Sequence, residues 1–237
     1  MKVETNMFYF RTAEQRGTVD FGWLTSHHTF SFGDYYDPSH MGISNLRVLN
    51  DDTVAAGAGF GKHGHKDMEI ITYVLEGSIE HKDSMGNHFV VSAGDIQRMS
   101  AGTGIMHSEY NASKTEPLKF LQIWISPNKK GIKPSYAQMP VVQTTPMTAL
   151  VTANGYDGSL SMQQDASLYR LQLKAGEKHE LIAQQKVGYL HVISGNASAD
   201  AYTFKQGDGL GIIQDQLLIR AEDTGLTALW FELPEVL

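Results

Sequence analysis

The feature that most constrains the fold of this chain is a succession of short β-branched runs, each ending at a turn residue. Residues 70–75 form one such run, which ends before Gly77, and residues 121–125 form another, which stops at Pro127. Runs of four to eight such residues bounded by Gly, Asn, Asp or Pro are typical of β-strands. Segments with helical periodicity are scarce, so the sequence predicts an all-β sandwich or barrel.

The second half of the chain repeats landmarks of the first half in the same order. The matching segments are 71–77 with 189–195, 93–95 with 206–208, and 123–127 with 230–234. Repeated landmarks in a fixed order indicate an internal duplication. Four of the seven prolines lie from Pro127 to Pro146, which marks a linker. We therefore predict two tandem β-barrels, an N-terminal domain at 1–130 and a degenerate C-terminal domain at 131–237.

Composition narrows the possible functions. The 237 residues suffice for two small β-domains with real cores. The absence of Cys excludes disulfides, zinc–thiolate sites and cysteine nucleophiles, so a metal must be held by N and O ligands. A net charge of -7 argues against direct nucleic-acid binding. Neither a signal sequence nor an apolar run of about 18 residues is present, so we expect a cytoplasmic protein without a membrane span.

Two pairs of potential metal ligands lie within fifty residues of each other: His63-Gly-His65 and His107-Ser-Glu109. Residues i and i+2 of an extended strand point to the same face. Two such strands side by side would aim three imidazoles and one carboxylate at one point, a ligand set suited to a first-row divalent metal. A lone H-x-H pair is a weak signal, because surface or core histidines are commoner.

The second half lacks such pairs. Its remaining histidines, His179 and His191, belong to neither an H-x-H nor an H-x-E pair. The sequence therefore predicts a metal site in the N-terminal barrel only.

The spacing of the ligand pairs resembles the two motifs of the cupin family. In the first motif six residues separate a glutamate ligand from the glycine that stands here as Gly77, which puts that ligand at Ile70. Glu69 is one residue out of register, and such a slip reverses the face of a strand. We therefore expect Glu109 to be the carboxylate ligand and Glu69 to support the site or form an ion pair. The second motif also departs from the cupin pattern, with Ser100 where proline is usual.

These departures and four longer runs resemble the pirin family, and within it the bacterial pirins described as quercetin 2,3-dioxygenases. The likeness is dense over about residues 10–127 and looser beyond. The runs are 22–32 (GWLTSHHTFSF), 35–38 (YYDP), 63–69 (HGHKDME) and 100–109 (SAGTGIMHSE). The resemblance implies a bicupin fold, a monomer, and a metal held by His63, His65, His107 and Glu109. The implied metal is usually Fe(2+), while the ligand chemistry alone also admits Zn, Mn, Ni, Co or Cu.

The function implied by the resemblance is a dioxygenase that cleaves flavonols such as quercetin with O2. Three neutral imidazoles and one carboxylate around a divalent ion leave a net charge of about +1 and about two open positions. Such a centre favours a phenolate or enolate, and Glu109 is the predicted catalytic base. Two alternatives stay open: a redox-sensing regulator that acts through a protein partner, and an inert storage cupin with a closed metal site.

Other residues near the motifs have two interpretations each. His28 either lines the site entrance or is a structural hydrogen-bonding residue, and the structural role is the commoner one. Met99 and Met106 are expected in the pocket wall rather than among the ligands. Four aromatic residues either form an apolar pocket for a planar ligand or belong to the barrel core, which we favour for most of them: Phe60, Tyr73, Phe120 and Trp124.

Overall fold

The computed structural model describes residues 7–183 and 186–235, which are organised almost entirely in β-strands. The first twelve strands are β1 (Met7–Arg11), β2 (Gly17–Asp20), β3 (Leu24–His28), β4 (Leu46–Val54), β5 (Gly59–His65), β6 (Glu69–Glu76), β7 (Ser78–Asp83), β8 (His88–Ser92), β9 (Asp95–Ser100), β10 (Ile105–Asn111), β11 (Leu118–Ile125) and β12 (Ser135–Pro140). The other eight are β13 (Met147–Thr152), β14 (Leu160–Ser161), β15 (Ser167–Leu173), β16 (Lys178–Ile182), β17 (Val187–Ala199), β18 (Tyr202–Lys205), β19 (Gly209–Ile213) and β20 (Gln216–Leu233). The all-β prediction is confirmed.

Helix is limited to two 3-10 turns of three residues in the described chain, Ala13–Gln15 and Tyr156–Gly158. None of the helices in that part of the chain has the length and apolar character needed to cross a bilayer.

The chain divides into two compact units. The first unit comprises residues 17–141 and 160–164, and the second comprises the described parts of 1–16, 142–159 and 165–237. Strand pairing explains two of the three departures from a division by chain order, because β12 pairs with β9 and β1 pairs with β19. The domain boundary that the sequence predicts, between residues 130 and 131, concerns which parts of the chain fold on their own, and it stays a prediction.

The first unit consists of a seven-stranded sheet, in the order β12-β9-β6-β11-β4-β3-β2, and a four-stranded sheet, in the order β5-β10-β7-β8. Two apolar clusters contain residues of both sheets. The larger cluster contains Leu24, Val54, Val74, Ile79, Val91, Leu118 and Phe120, and the smaller contains Ile70, Met99, Ala101 and Ile105. Each such side chain stabilises the fold by about 1.5–3 kcal/mol when fully buried, so the clusters hold the two sheets together.

The second unit repeats the strand neighbours of the first. Its main sheet contains β1-β19-β17-β20-β15-β13, with β16 on β20 and β18 on β17. Strand β17 lies between β19 and β20, just as β6 lies between β9 and β11. The segments that match in sequence lie on or directly before these strands, which is the arrangement expected of a duplicated barrel.

Two long strands of the second unit bend at glycines. The register of β17 against β20 shifts between Val192 and Ser194 and again between Gly195 and Ala197. Gly195 has a φ of 83°, and a Cβ there would overlap the carbonyl of Gly225. Only glycine can adopt this positive φ and also avoid the overlap with the carbonyl. The bend lets β20 pair with β16 at one end and with β15 at the other.

Candidate metal centre

The two ligand pairs lie on neighbouring antiparallel strands of the four-stranded sheet. In the pairing of β5 with β10, His63 is opposite His107 and His65 is opposite Ile105. A register shift between His107 and Glu109 places Glu109 opposite Phe60. Alternate residues of β10 are buried, so His107 and Glu109 face the inside of the unit. The i, i+2 spacing therefore brings both pairs to one side of the sheet.

Close approach of the two strands depends on Gly59. A Cβ at Gly59 would lie 2.5 Å from the Cα of Tyr110, and it would overlap the carbonyl of Glu109. At Gly61, by contrast, the nearest atom would be the Tyr110 hydroxyl at 3.8 Å. A side chain at Gly59 would therefore push β5 away from the strand that carries two of the predicted ligands.

Three imidazoles meet at this point. The ring centroids of His63, His65 and His107 lie 4.5–4.8 Å apart. Nδ1 of His63 is 2.7 Å from the Gly61 carbonyl oxygen and donates to it, which leaves a lone pair on Nε2 of the neutral ring. Nε2 of His63 lies 3.1 Å from Nε2 of His107. Two nitrogens bound at right angles to one ion, each at about 2.1 Å, would be about 3.0 Å apart, so these donors fit a divalent transition metal.

Two of the imidazoles, those of His65 and His107, are in the protonation state that a metal requires. Burial is the main cause that lowers the pKa of His65 to about 4, and His107 and His63 contribute to this shift. Burial likewise lowers the pKa of His107 to about 3, with contributions from His63 and His81. Both rings are therefore neutral at pH 7 and offer lone pairs without first losing a proton.

A closed ring of hydrogen bonds holds the carboxylate of Glu109, which is 2% exposed. Gln97 Nε2 donates to Oε1 at 2.7 Å, and Gln122 Nε2 donates to Oε2 at 3.2 Å. Thr72 closes the ring, because its hydroxyl donates to Gln122 Oε1 and accepts from Gln97 Nε2. Tyr136 adds a donor to Gln97 Oε1, and burial raises the pKa of this phenol, which keeps it protonated. The carboxylate is therefore fixed in orientation by side chains of the seven-stranded sheet.

His81 is a fourth histidine at this site and is fully buried, and it was not among the residues selected from the sequence. It is opposite Glu109 in the pairing of β7 with β10, and its Nε2 donates to Asp83 Oδ2 at 3.2 Å. His81 packs against Tyr136 at 4.5 Å and His107 at 5.3 Å between ring centroids. The spacing His81-Lys-Asp83 is itself i, i+2, a signal that could have selected this pair.

Potential ligand atoms form two overlapping groups in the described residues, each within 4.8 Å. One group is His63, His65 and His107, and the other is His81, His107 and Glu109. His107 belongs to both groups. The structure thus brings together the three predicted imidazoles and places Glu109 next to one of them.

Glu69 belongs to neither ligand group of the described chain. It is 1% exposed and accepts a hydrogen bond from the Ser100 hydroxyl at 2.7 Å. Burial raises its pKa, while Ser100 and the positive charge of Arg98 lower it in part. Glu69 is paired with Ser100 across β6 and β9, an odd number of residues along the strand from the pair Thr72 and Gln97, so it points to the opposite face from Gln97, which donates to Glu109. The predicted reversal of face agrees with this geometry, and Ser100 occupies the unusual motif position.

The other residues near the motifs have distinct positions. His28 is 5% exposed, and its Nδ1 donates to Asn50 Oδ1 at 2.8 Å. Tyr73 and Phe120 are buried, as expected of core residues, whereas the Trp124 ring packs on His65 at 4.9 Å. Met99 is buried in the smaller apolar cluster, and Met106 is 39% exposed on the side of β10 opposite His107.

Comparison with known proteins covers both units. The family model described as Pirin matches residues 9–125, and the model described as Quercetinase C-terminal cupin domain matches residues 149–233. The chain is 48% identical over 232 residues to a protein of Escherichia coli K12 named quercetin 2,3-dioxygenase, covering 97% of this chain and 100% of that protein.

Solved structures agree with the sequence comparison. The crystal structure of YhhW from Escherichia coli is similar with a TM-score of 0.93 and 48% identity, over 96% of this chain and 98% of that one. A second structure, bacterial pirin YhhW in complex with nickel(II), has a TM-score of 0.91 and 48% identity, over 96% of this chain and 99% of that one. Two tandem cupin domains and a divalent metal are what these likenesses support.

Proposed function

Because the chain belongs to the pirin family, as its motifs predicted, we propose that it is a divalent-metal-dependent dioxygenase that cleaves flavonols such as quercetin with O2. In this reaction the oxygen-containing ring opens, both atoms of O2 are incorporated, and one carbon leaves as carbon monoxide. The observation that supports the proposal most strongly is the meeting of three imidazoles, two of them kept neutral by burial, beside a buried carboxylate.

We assign His63, His65, His107 and Glu109 as the ligands of one ion, held in the first unit only. When bound there, a divalent ion supplies positive charge that favours the ionised form of a substrate hydroxyl, and it leaves about two positions open. Iron is the metal we favour, following the family resemblance, and nickel is the alternative suggested by the complex of the Escherichia coli relative.

Groups of the protein orient the metal ligands and accept the proton of the substrate hydroxyl. The Gly61 carbonyl fixes the tautomer of His63 by accepting from its Nδ1. Glu109 accepts the proton of the substrate hydroxyl on a lone pair that its two amide donors leave free. Because Gln97 and Gln122 hold both oxygens, proton acceptance does not require the carboxylate to swing away. Trp124, which packs against His65, limits the access of water to the reacting groups.

The enzyme is favoured over the regulatory alternative by the names of the relatives. The Escherichia coli protein is named for a dioxygenase activity, and it matches nearly the whole of this chain. A regulator acting through a protein partner would need a surface that responds to the metal, and no observation on the described residues supports one.

Anaerobic loading followed by oxygen tests the proposed function. Protein purified without contact with metal-affinity resin is analysed for its metal, loaded with Fe(2+), and mixed with quercetin and O2. We expect the flavonol absorbance to fall and one molecule of carbon monoxide to be released for each flavonol molecule consumed. Absence of turnover with each of Fe, Mn, Co, Ni and Cu would reject the flavonol dioxygenase.

A matched pair of histidine variants controls the experiment. His107→Ala removes a member of both ligand groups and should abolish metal binding and turnover. His88→Ala removes a histidine that is ion-paired with Glu80 at the surface and should change neither. Equal metal content in the two variants would mean that the ligands are wrongly assigned.

A further inference from the structure

A cavity of about 270 Å³ lies in the first unit beside strands β3 and β4. Four aromatic residues contribute to its walls: Phe21, Trp23, Phe32 and Phe60. Trp23 and Phe60 pack edge to face with 5.2 Å between their centroids. Flat apolar walls of this kind suit a planar aromatic ring.

The floor of this cavity is polar. Ser26 and His28 of β3 are opposite Asp52 and Asn50 of β4, so the four side chains share one face of the sheet. All four residues are at most 5% exposed. His28 donates to Asn50, and Ser26 is the hydrogen-bonding neighbour of Asp52. A few buried polar groups in an otherwise apolar cavity are the usual means by which a protein selects a ligand.

Asp52 is the least satisfied of these groups. Its Oδ1 has no hydrogen-bond partner in the described structure, although the atom is buried. Burial raises the pKa of Asp52 to about 7, and repulsion from Asp51 and Glu109 adds to the effect, while Ser26 lowers it. Near neutral pH the carboxyl group is therefore available as a hydrogen-bond donor and as an acceptor. A buried carboxyl oxygen without a partner is costly, and a hydroxyl group of a bound ligand could satisfy it.

Two strand pairings and a chain of ring contacts connect the cavity to the candidate metal centre. Phe60 is opposite Glu109 in the pairing of β5 with β10. Asn50 is opposite Gln122, which donates to Glu109. Phe32 packs at 5.2 Å on the ring of Trp124, which in turn contacts His65. The cavity is thus a neighbour of the candidate metal centre through shared strands and ring contacts.

We infer that this cavity binds the part of the substrate that does not bind the metal, and that Asp52 hydrogen-bonds to a hydroxyl on that part. The inference rests on the proposed function and narrows its substrate class to planar polyphenols with a second, remote hydroxyl. Asp34 also lines the cavity, and neither it nor Asp52 offers a positive charge, so substrates with a carboxylate in this position are disfavoured. Asp52 is therefore a specificity-determining residue.

Anaerobic binding measurements test this inference without turnover. Metal-loaded protein is titrated under nitrogen with quercetin and with 3-hydroxyflavone, which keeps the metal-binding hydroxyl and carbonyl but lacks the other hydroxyls. Binding is followed by calorimetry and by tryptophan fluorescence. We expect the wild-type protein to bind quercetin about tenfold more tightly, as one hydrogen bond to a buried polar group allows. Equal affinities, or no binding of either flavonol, would overturn the inference.

Variants of neighbouring aspartates assign the effect to one residue. Asp52→Leu should lower the affinity for quercetin much more than the affinity for 3-hydroxyflavone and so remove the preference, and Asp52→Asn should retain most of the preference. Asp51→Leu is the control, because Asp51 points to the opposite face of β4. An undiminished preference in Asp52→Leu would overturn the role of Asp52.

The outcome separates this inference from the proposed function. A quercetin preference that depends on Asp52, in a protein without turnover, would support the cavity while rejecting the dioxygenase. Turnover of quercetin by a protein without any such preference would support the dioxygenase while rejecting the cavity.

Discussion

Two buried glutamates in the first unit have different surroundings and therefore different roles. Glu109 has amide donors on both oxygens and lies within 4.8 Å of potential ligand atoms of His107 and His81. Glu69 accepts from Ser100 and lies near the charge of Arg98 instead. Burial is nearly the same for both, so the partners decide which of them can bind a cation.

Glutamine substitutions should separate these two roles. We expect Glu109→Gln to lower metal affinity at least tenfold, since it removes the charge and turns an amide donor toward Gln97 or Gln122. Glu69→Gln should retain nearly full metal content. Elemental analysis after desalting measures both variants, and the reverse ranking would show that Glu69 is the carboxylate ligand.

Asp52 should make stability depend on pH. Its pKa in the folded protein is about 7, against an ordinary value of 3.8. Between these values the folded state holds a proton that the unfolded state has lost, so the contribution of Asp52 is fully present below pH 4 and is lost as the pH rises through 7. Asp52→Asn should therefore gain stability relative to wild type as the pH rises.

The gain in Asp52→Asn should reach at most about 4 kcal/mol between pH 4 and pH 8. Urea unfolding of both metal-free proteins at several pH values measures it. A difference that stays constant over this range would mean that Asp52 is ionised in the folded protein as readily as in water.

At the level of elements, the pairing of β5 with β10 places the predicted ligands, and a glycine permits that pairing. Gly59 faces the backbone of Glu109 and Tyr110, whereas Gly61 has open space beside it. The two glycines lie two residues apart on one strand, which makes them a matched pair.

Gly59→Ala should displace β5 from β10 and lower metal content, at a cost in stability of about 1–3 kcal/mol. Gly61→Ala should bind metal as the wild type does. Circular dichroism on heating and elemental analysis report the two effects. Full metal content in Gly59→Ala would mean that the strands tolerate a wider separation than the ligand geometry implies.

Local pattern predicts the strands and the ligand pairs, but it does not predict what surrounds them. His63, His65, His107 and Glu109 were found because i, i+2 parity is a property of each strand alone. The sequence does not predict the roles of Gln97 and Gln122, because their contact with Glu109 depends on the pairing of β9 and β11 with β6, across long sequence separations. Asp52 was missed for the same reason, since its role depends on what β3, β4 and β5 enclose.

At the scale of the whole molecule, each unit has a core of its own. The second unit buries Leu190 and Trp230 in its own apolar cluster. His191 is also buried there, and burial lowers its pKa to about 3, so it remains a neutral core residue at pH 7. The second unit thus retains the barrel while its remaining buried histidine belongs to none of the ligand groups of the described residues.

Damage to the second core should leave the metal centre intact. Leu190→Ala should lower the free energy of unfolding by about 2–5 kcal/mol, because it removes a fully buried side chain and leaves a cavity. The folded fraction should still bind one metal ion per chain. Urea unfolding and elemental analysis of the folded protein check both statements, and a folded but metal-free variant would contradict the second.

In the first unit, one sheet carries the predicted metal ligands and the other carries the polar floor of the cavity. This arrangement has a consequence for how such proteins diversify. The four predicted ligands come from β5 and β10 of one sheet, whereas the polar floor of the cavity comes from β3 and β4 of the other. Descendants of one ancestral barrel can therefore exchange floor residues, and so acquire new organic substrates, while they inherit the same inorganic chemistry unaltered.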